Sequence, residues 1–172
     1  VMQNLIRIGI VGYGNLGRGV ETSIQKNPDL QLVGIFTRRA PETVKPCFAE
    51  TSVFHMDSLS EFKDKIDVLI LCGGSKDDLP QQTPQLASQF NTVDSFDIHS
   101  EIVALRRSLE KAAKSGQAVA VISAGWDPGS DSVVRTLLEA IAPKGITYTN
   151  FGPGRSMGPS VAVRAIDGVK DA

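Results

Sequence analysis

The sequence predicts an α/β fold in which helices cover both faces of a parallel sheet. Short apolar runs rich in Val and Ile alternate along the chain with segments whose apolar residues recur at helical spacing. The runs are nearly continuous in apolar residues, as is typical of strands buried on both faces. Turn-forming residues, glycine above all, follow several of them directly. Together these observations indicate a sheet of parallel strands joined by helices.

The clearest strand is predicted at residues 67–72, where the sequence DVLILC runs straight into glycine. Residues 40–57 are interpreted as irregular, with at most a short strand at 53–54. The remaining strands are expected at 6–11, 30–36, 91–94, 118–124 and 146–151, and the helices at 15–26, 79–90, 100–115 and 132–142.

Composition excludes several classes of protein. The 172 residues include 41% hydrophobic ones and carry a formal net charge of −1, which is typical of a globular protein with a packed core. Basic and acidic residues are interspersed, so no nucleic-acid surface is expected. No apolar run reaches the roughly 18 residues that span a bilayer, so no membrane segment is expected. Two cysteines form no disulfide framework, and His55 and His99 lack metal-ligand spacing. We therefore expect a cytoplasmic protein without a metal site.

A glycine-rich hexapeptide, GYGNLG at residues 12–17, follows the first predicted strand and opens the first predicted helix. It fits the G-x-G-x-x-G fingerprint of dinucleotide-binding folds. Gly12 permits the tight turn, Gly14 lets a pyrophosphate approach the backbone, and Gly17 lets helix and strand pack closely. The alternative is a glycine-rich turn without a ligand. The context favours a Rossmann-type doubly wound sheet.

The end of the second predicted strand indicates which dinucleotide binds. NAD enzymes usually have Asp or Glu there to accept from the ribose 2′-hydroxyl. This chain has Thr37, Arg38 and Arg39 instead, with no acidic residue from 34 to 41. A hydroxyl and two guanidiniums suit a 2′-phosphate, so NADP is predicted over NAD. The alternative is a merely solvated basic loop.

Carboxylates follow two further predicted strands. Asp94 and Asp97 lie in the sequence VDSFD, and Asp127 lies in GWDPG. If they converge near the nicotinamide, they suit a cationic amine substrate, because they attract the ammonium group and orient its carbon. The alternative for each is a turn or helix-cap role. Trp126 equally suits a pocket wall or a core position.

Five segments in order resemble one enzyme family, the meso-diaminopimelate D-dehydrogenases. They are residues 10–18, 33–39, 93–97, 125–129, and 151–154 followed by 156–158. The resemblance implies NADP-dependent oxidative deamination of meso-2,6-diaminopimelate at its D-centre, which yields L-2-amino-6-oxopimelate and ammonia. It also implies a homodimer and a role in lysine biosynthesis. The cofactor contacts expected from the motifs and the resemblance together are Gly12, Gly14, Asn15, Leu16, Thr37, Arg38, Arg39, Cys72, Gly73, Gly74, Ser75 and Asp94.

The resemblance also implies a substrate site. Asp97 and Asp127 hold the reacting amino group as the catalytic pair, Trp126 shapes the pocket, and further substrate contacts are expected at Phe151, Met157 and Gly158. The chain departs from the family at Pro159, where members usually have His, which puts a role at that turn in doubt.

Family members are nearly twice as long as this chain. Residues 1–124 are therefore expected to form the dinucleotide-binding domain, and residues 125–172 only the beginning of a dimerisation and substrate domain. We expect NADPH binding without full activity of the 172 residues alone. The alternatives are a non-catalytic NADPH-binding module and another NADPH-linked reductase, such as a dihydrodipicolinate-reductase-like protein. The carboxylate pattern and GWDPG favour a member of the dehydrogenase family over another reductase.

Overall fold

The computed structural model of the chain describes residues 5–124, 130–144, 163–164 and 166–171. Within these residues the chain forms six strands and four α-helices. The strands are β1 (Ile6–Val11), β2 (Leu30–Thr37), β3 (Val53–His55), β4 (Val68–Leu71), β5 (Asn91–Asp94) and β6 (Ala120–Val121). The helices are α1 (Asn15–Gln25), α2 (Leu79–Ala87), α3 (Ile102–Gly116) and α4 (Ser130–Ile141), with short 3₁₀ turns at Pro41–Thr43, Met56–Phe62 and His99–Glu101.

The six strands form one parallel sheet in the order β3-β2-β1-β4-β5-β6. The chain runs outward from β1 in one direction and then returns to β4 to run outward in the other. Such a sheet has a crevice at the carboxyl ends of β1 and β4, where the strand order reverses. The predicted doubly wound parallel fold is confirmed.

Two hydrophobic clusters show that helices cover both faces of the sheet. Successive side chains of a strand point to opposite faces, and along β4 Leu69 and Leu71 join one cluster while Val68 and Ile70 pack against the other. The first cluster includes apolar residues of α2 and α3, and the second includes Ile24 of α1. Each strand of the centre is therefore buried on both sides, as its continuous apolar sequence predicts.

Among the described elements, β1 and β5 have their predicted bounds, and most of the others differ by one or two residues at an end. The last strand of the sheet is two residues long rather than seven, because Ser123 adopts a left-handed backbone with φ 56° and ends the extended run. Helix α2 ends at Ala87 rather than at residue 90. Helix α3 begins after a 3₁₀ turn and is closed by Gln117 in the left-handed region. The strand expected at 146–151 lies outside the described residues.

The chain divides into two compact units, Val1–Trp126 and Asp127–Ala172. The whole sheet belongs to the first unit, and α4 belongs to the second. On α4, the side chains of Leu137, Leu138 and Ile141 are exposed. None of the described helices has the length and apolar character that a membrane crossing requires.

Candidate dinucleotide-binding site

The loops that carry the predicted motifs meet at the carboxyl edge of the sheet. A cavity of about 380 Å³ lies there, between the ends of β1, β2 and β4. Eight predicted cofactor contacts line it: Gly12, Gly14, Thr37, Arg38, Arg39, Cys72, Gly73 and Gly74. Six further lining residues were not predicted as contacts: Val11, Tyr13, Phe36, Met56, Asp78 and Gln82.

Two glycines of the fingerprint are required by the local geometry. Gly12 has φ +85°, in the left-handed region that favours glycine. A Cβ on Gly17 would lie 2.7 Å from the carbonyl oxygen of Gly12, so no larger residue fits without a backbone shift. These two positions hold the turn and the helix α1 close together, as the fingerprint predicts.

Gly14 differs from them, because the protein's own packing does not need it. It is exposed, and a Cβ there would meet no heavy atom within 4 Å. It is also the N-cap of α1 and has no side chain to accept from the first N–H groups of that helix. The first turn of α1, described in full, contains no acidic residue. Free N–H groups and the positive end of a helix dipole suit a phosphate. The residues present therefore fit a dinucleotide pyrophosphate.

The side chain of Tyr13 holds the fingerprint loop in place through hydrogen bonds to Glu21 and Cys47. Its hydroxyl donates to the buried carboxylate of Glu21 and accepts from the backbone N–H of Cys47 at 2.9 Å. Burial raises the pKa of Tyr13, and the hydrogen bonds that its hydroxyl donates to the Cys47 sulfur and to Glu21 add to this, so the phenol stays protonated. Burial also favours the protonated form of Glu21, but hydrogen bonds from Tyr13 and from the Cys47 N–H outweigh it and lower its pKa. The fingerprint loop is therefore held by the Glu21 carboxylate, which is charged and fully buried.

The cationic end of the cavity consists of the residues that follow β2. The Arg39 guanidinium donates through Nη2 to the carbonyl oxygen of Tyr13 at 2.7 Å, and the Arg39 N–H donates to Thr37 Oγ1 at 3.1 Å. Arg38 donates through Nη2 to Asp78 Oδ1 at 2.5 Å. Thr37, Arg38 and Arg39, which were predicted to bind a phosphate, thus all line the cavity.

Sequence reasoning missed Asp78. It precedes α2, 40 positions after Arg38, whereas the acidic residue of an NAD site was sought only near the end of β2. Its Oδ2 accepts from the Gly74 N–H at 3.0 Å, so it joins the loop after β4 to Arg38. The one available signal was its position just before a helix, where Asp is common for local reasons.

Four predicted cofactor contacts, Asn15, Leu16, Ser75 and Asp94, are not among the residues that line the cavity. Asn15 and Leu16 form the exposed first turn of α1. Cys72 lines the cavity, and burial raises the pKa of its thiol to about 12, so it stays protonated at neutral pH. Asp94 is 1% exposed, and its Oδ1 accepts from the N–H groups of Phe96 and Ser123. Its Oδ2 is buried and has no partner among the described residues.

The predicted substrate residues are described only in part. Asp97 is exposed, and its backbone N–H donates to Ser75 Oγ at 3.2 Å, which joins the loops after β4 and β5. No described residue donates to the Asp97 carboxylate, so its oxygens are free to accept. The residues outside the described ranges are Trp126, Asp127, Phe151, Met157, Gly158 and Pro159. No cluster of three or more His, Cys, Asp or Glu side chains suited to a metal ion occurs in the described part of the chain.

Comparison with known families matches two parts of the chain. Residues 6–93 match the oxidoreductase family described by its NAD-binding Rossmann fold. Residues 125–172 match the diaminopimelic acid dehydrogenase C-terminal domain.

Individual relatives agree with both matches. The meso-diaminopimelate D-dehydrogenase of Lysinibacillus sphaericus is 54% identical over 167 residues, which are 97% of this chain and 51% of the relative. A solved structure of Corynebacterium glutamicum DAP dehydrogenase in complex with DAP has a TM-score of 0.72 at 44% identity, over 99% of this chain and 51% of the other.

An engineered D-amino acid dehydrogenase bound to NADP⁺ has a TM-score of 0.70 at 44% identity, over 97% of this chain and 51% of the other. The chain thus spans about half the length of the curated relatives it matches. It belongs to the oxidoreductase family with the NAD-binding Rossmann fold, and the resemblance to meso-diaminopimelate D-dehydrogenases that its motifs predicted is confirmed.

Proposed function

We propose that the chain binds NADP(H) in the cavity at the carboxyl edge of the sheet. The observation that carries the proposal is that Arg38 and Arg39 line the same cavity as the glycine loop. Guanidiniums supply both charge and paired donors for a phosphate. The NADP⁺ bound by the engineered relative supports the same cofactor.

Different groups of residues bind different parts of the cofactor. Gly12, Gly14 and the first turn of α1, including Asn15 and Leu16, hold the pyrophosphate through backbone N–H groups. Thr37, Arg38 and Arg39 hold the 2′-phosphate. The nicotinamide half lies toward the loop after β4 and the end of β5, with contacts at Cys72, Gly73, Gly74, Ser75 and Asp94.

The reaction that we propose for the full-length protein is oxidative deamination of meso-2,6-diaminopimelate at its D-centre. Substrate, water and NADP⁺ yield L-2-amino-6-oxopimelate, ammonium, NADPH and a proton. The cofactor supplies a hydride acceptor. Support comes from the names of the relatives and from the DAP bound in one of them. The reverse direction places the enzyme in lysine biosynthesis.

Two carboxylates of the chain hold the reacting amino group in this proposal. Asp97 and Asp127 accept from the substrate ammonium, which orients the carbon that loses hydride. The exposed Asp97 carboxylate, to which no described residue donates, supports the first of these roles. Trp126 shapes the pocket, and Phe151, Met157 and Gly158 contact the substrate.

In this proposal the 172 residues bind the cofactor but do not turn over the substrate efficiently. We infer that residues 1–124 form the dinucleotide-binding domain and that residues 125–172 begin the dimerisation and substrate domain. The chain covers only 51% of its first relative, which favours NADPH binding without efficient turnover of the 172 residues. Turnover of meso-2,6-diaminopimelate by these residues at rates typical of enzymes would contradict that inference.

A homodimer in the cytoplasm is the assembly and location that we propose. The exposed apolar side chains of Leu137, Leu138 and Ile141 on α4 support an interface, since Ile141 is 80% exposed. Both cysteines are free thiols, as is usual in a reducing compartment. Sedimentation of the full-length protein as a monomer at micromolar concentration would contradict the dimer.

The Arg38→Ala variant tests the cofactor proposal. Loss of a charged donor to the 2′-phosphate is expected to weaken NADPH binding by about tenfold or more, because hydrogen bonds to charged groups contribute roughly 1.5–3 kcal/mol. NADH has no phosphate there and should respond little. Isothermal titration with both cofactors measures the difference.

Arg107→Ala is the matched control for that test. It removes the same charge from α3, away from the cavity, and should leave both affinities unchanged. Equal losses of NADPH and NADH affinity in Arg38→Ala would show that Arg38 does not bind the 2′-phosphate.

A further inference from the structure

The Asp78 carboxylate lies in the cavity and uses both of its oxygens. Oδ1 accepts from Arg38 Nη2 at 2.5 Å, and Oδ2 accepts from the Gly74 N–H at 3.0 Å. The Asp78 side chain is 24% exposed, whereas that of Arg38 is 67% exposed. The Asp78 carboxylate, which the Gly74 N–H holds in place, thus binds the guanidinium of Arg38, and the rest of that side chain is largely solvated.

This contact restricts the side chain of Arg38, which is 67% exposed. An exposed arginine loses much rotamer freedom when it binds a ligand, and that cost lowers affinity. Arg38 has a fixed partner before any ligand arrives, so less freedom remains to be lost. The bond to Asp78 occupies one of the five N–H donors of the guanidinium and leaves the others for a phosphate.

We propose that Asp78 is a positioning residue that sets the preference for NADPH over NADH by holding Arg38 toward the cavity. The inference rests on the proposed binding of NADP(H). Asp78 itself needs no contact with the cofactor. It supplies, from the start of α2, a determinant of cofactor choice that the end of β2 does not contain.

The carboxylate also exerts an opposing effect, because its negative charge repels a phosphate in the same cavity. Arg38 is mostly solvated, and charge interactions across solvent are weak and screened by salt. The positioning effect is therefore expected to exceed the repulsion. The sign of the change in NADPH affinity on removal of the charge distinguishes the two.

The Asp78→Asn variant is the test. The amide keeps the size of the side chain but offers one acceptor oxygen to two donors, so either Arg38 or the Gly74 N–H loses its bond. We expect NADPH affinity to fall by about three- to tenfold, in line with the freedom of one long side chain. NADH affinity should change by less than about twofold.

Asp77→Asn is the matched control, because Asp77 is exposed, carries the same charge and lies one residue away. It should leave the ratio of NADPH to NADH affinity unchanged. If Asp77→Asn lowers that ratio as much as Asp78→Asn does, or if Asp78→Asn strengthens NADPH binding, the charge of the region acts rather than the contact, and the proposal is overturned.

A double-mutant cycle shows whether Asp78 acts through Arg38. In the Arg38→Ala background, Asp78→Asn should have no further effect on NADPH affinity. An undiminished effect in that background overturns the proposal. If Arg38→Ala itself leaves the cofactor preference unchanged, the proposed NADP site is wrong. If Arg38→Ala acts as expected and Asp78→Asn has no effect, only the role of Asp78 is wrong.

Should Asp78→Asn fail to fold, Asp78→Glu provides the same test. It keeps the charge and both oxygens but moves them by one methylene group. The proposal requires a lower NADPH-to-NADH affinity ratio for this variant. An unchanged ratio overturns it.

Discussion

Asp94 and Ser123 lie 29 positions apart in the chain, and Asp94 Oδ1 accepts a hydrogen bond from the Ser123 N–H at 3.2 Å. The same oxygen accepts from the Phe96 N–H at 3.0 Å, and the Asp94 carbonyl oxygen accepts from the Ala124 N–H at 2.8 Å. One buried carboxylate therefore ties the loop that carries Asp97 to the end of β6. This bond joins two of the loops at the carboxyl edge of the sheet.

Asp94→Ala should destabilise the chain by roughly 2 to 4 kcal/mol, because it leaves two N–H donors of a buried region without an acceptor. Urea denaturation measures the change. Asp97→Ala is the control, since its exposed carboxylate accepts from no described residue, and it should cost less than about 0.5 kcal/mol. Equal costs for the two variants would mean that the Asp94 bonds contribute no stability.

Gly17→Ala and Gly19→Ala, two positions apart on α1, should have opposite effects on stability. The new Cβ at position 17 would lie 2.7 Å from the Gly12 carbonyl oxygen, so we expect a loss of about 1–3 kcal/mol. At position 19 nothing lies within 4 Å, and alanine should stabilise the helix by about 0.5–1 kcal/mol. Thermal unfolding of both variants checks the sign. A stabilised Gly17→Ala would refute the close approach of α1 to the glycine turn.

Gly14→Ala should separate cofactor binding from folding. Position 14 is exposed and has open space around its Cβ, so stability should change by no more than about 0.5 kcal/mol. The methyl group occupies the space that a pyrophosphate needs, and both NADPH and NADH should bind about tenfold or more weakly. Titration with both cofactors measures this. Unchanged affinities would place the pyrophosphate elsewhere.

The ion pair of Arg7 and Asp67 predicts a particular acid response. Hydrogen bonds from the Arg7 side chain and backbone lower the pKa of Asp67 to about 2, whereas its value in an unfolded chain is about 3.9. The contribution of Asp67 is thus fully present above pH 4 and is lost as the pH falls toward 2, where the unfolded state binds the proton first.

Urea denaturation of wild type and Asp67→Asn across this range measures that contribution. The wild type should be the more stable of the two at pH 6, and the difference should shrink between pH 4 and pH 2. A difference that stays constant over this interval would show that Asp67 has an ordinary pKa in the folded chain.

Much of the fold follows from local sequence. Period and composition located the six strands of the sheet, and β1 and β5 have their predicted bounds. β6 was predicted too long because apolar residues continue past Val121, while Ser123 adopts a left-handed backbone at the end of an edge strand. Apolar pattern reports burial and cannot report where hydrogen-bonded pairing stops.

The candidate site divides in the same way. Glycines 12 and 17 were identified from their spacing and from the strand and helix predicted on either side, since the tight turn and the close packing are properties of a few consecutive residues. The meeting of Arg38 with Asp78 could not be predicted, because 40 positions separate them and Asp is common before helices. The sequence also could not predict that the Asp94 carboxylate accepts from backbone N–H groups. An Asp at the end of a strand looks the same in the sequence whether its side chain faces a ligand or backbone amides.

The sequence by itself therefore determined the order of strands and helices, the glycine turn and the basic residues at the end of β2. Each depends on side chains close together in the chain. The tertiary structure decided which carboxylate reaches which donor. Asp78 holds Arg38 and Asp94 holds Ser123 because parallel strands bring distant loops to one edge of the sheet. The pairing of β6 with β5 and the packing of α2 against β5 bring these groups within hydrogen-bond distance.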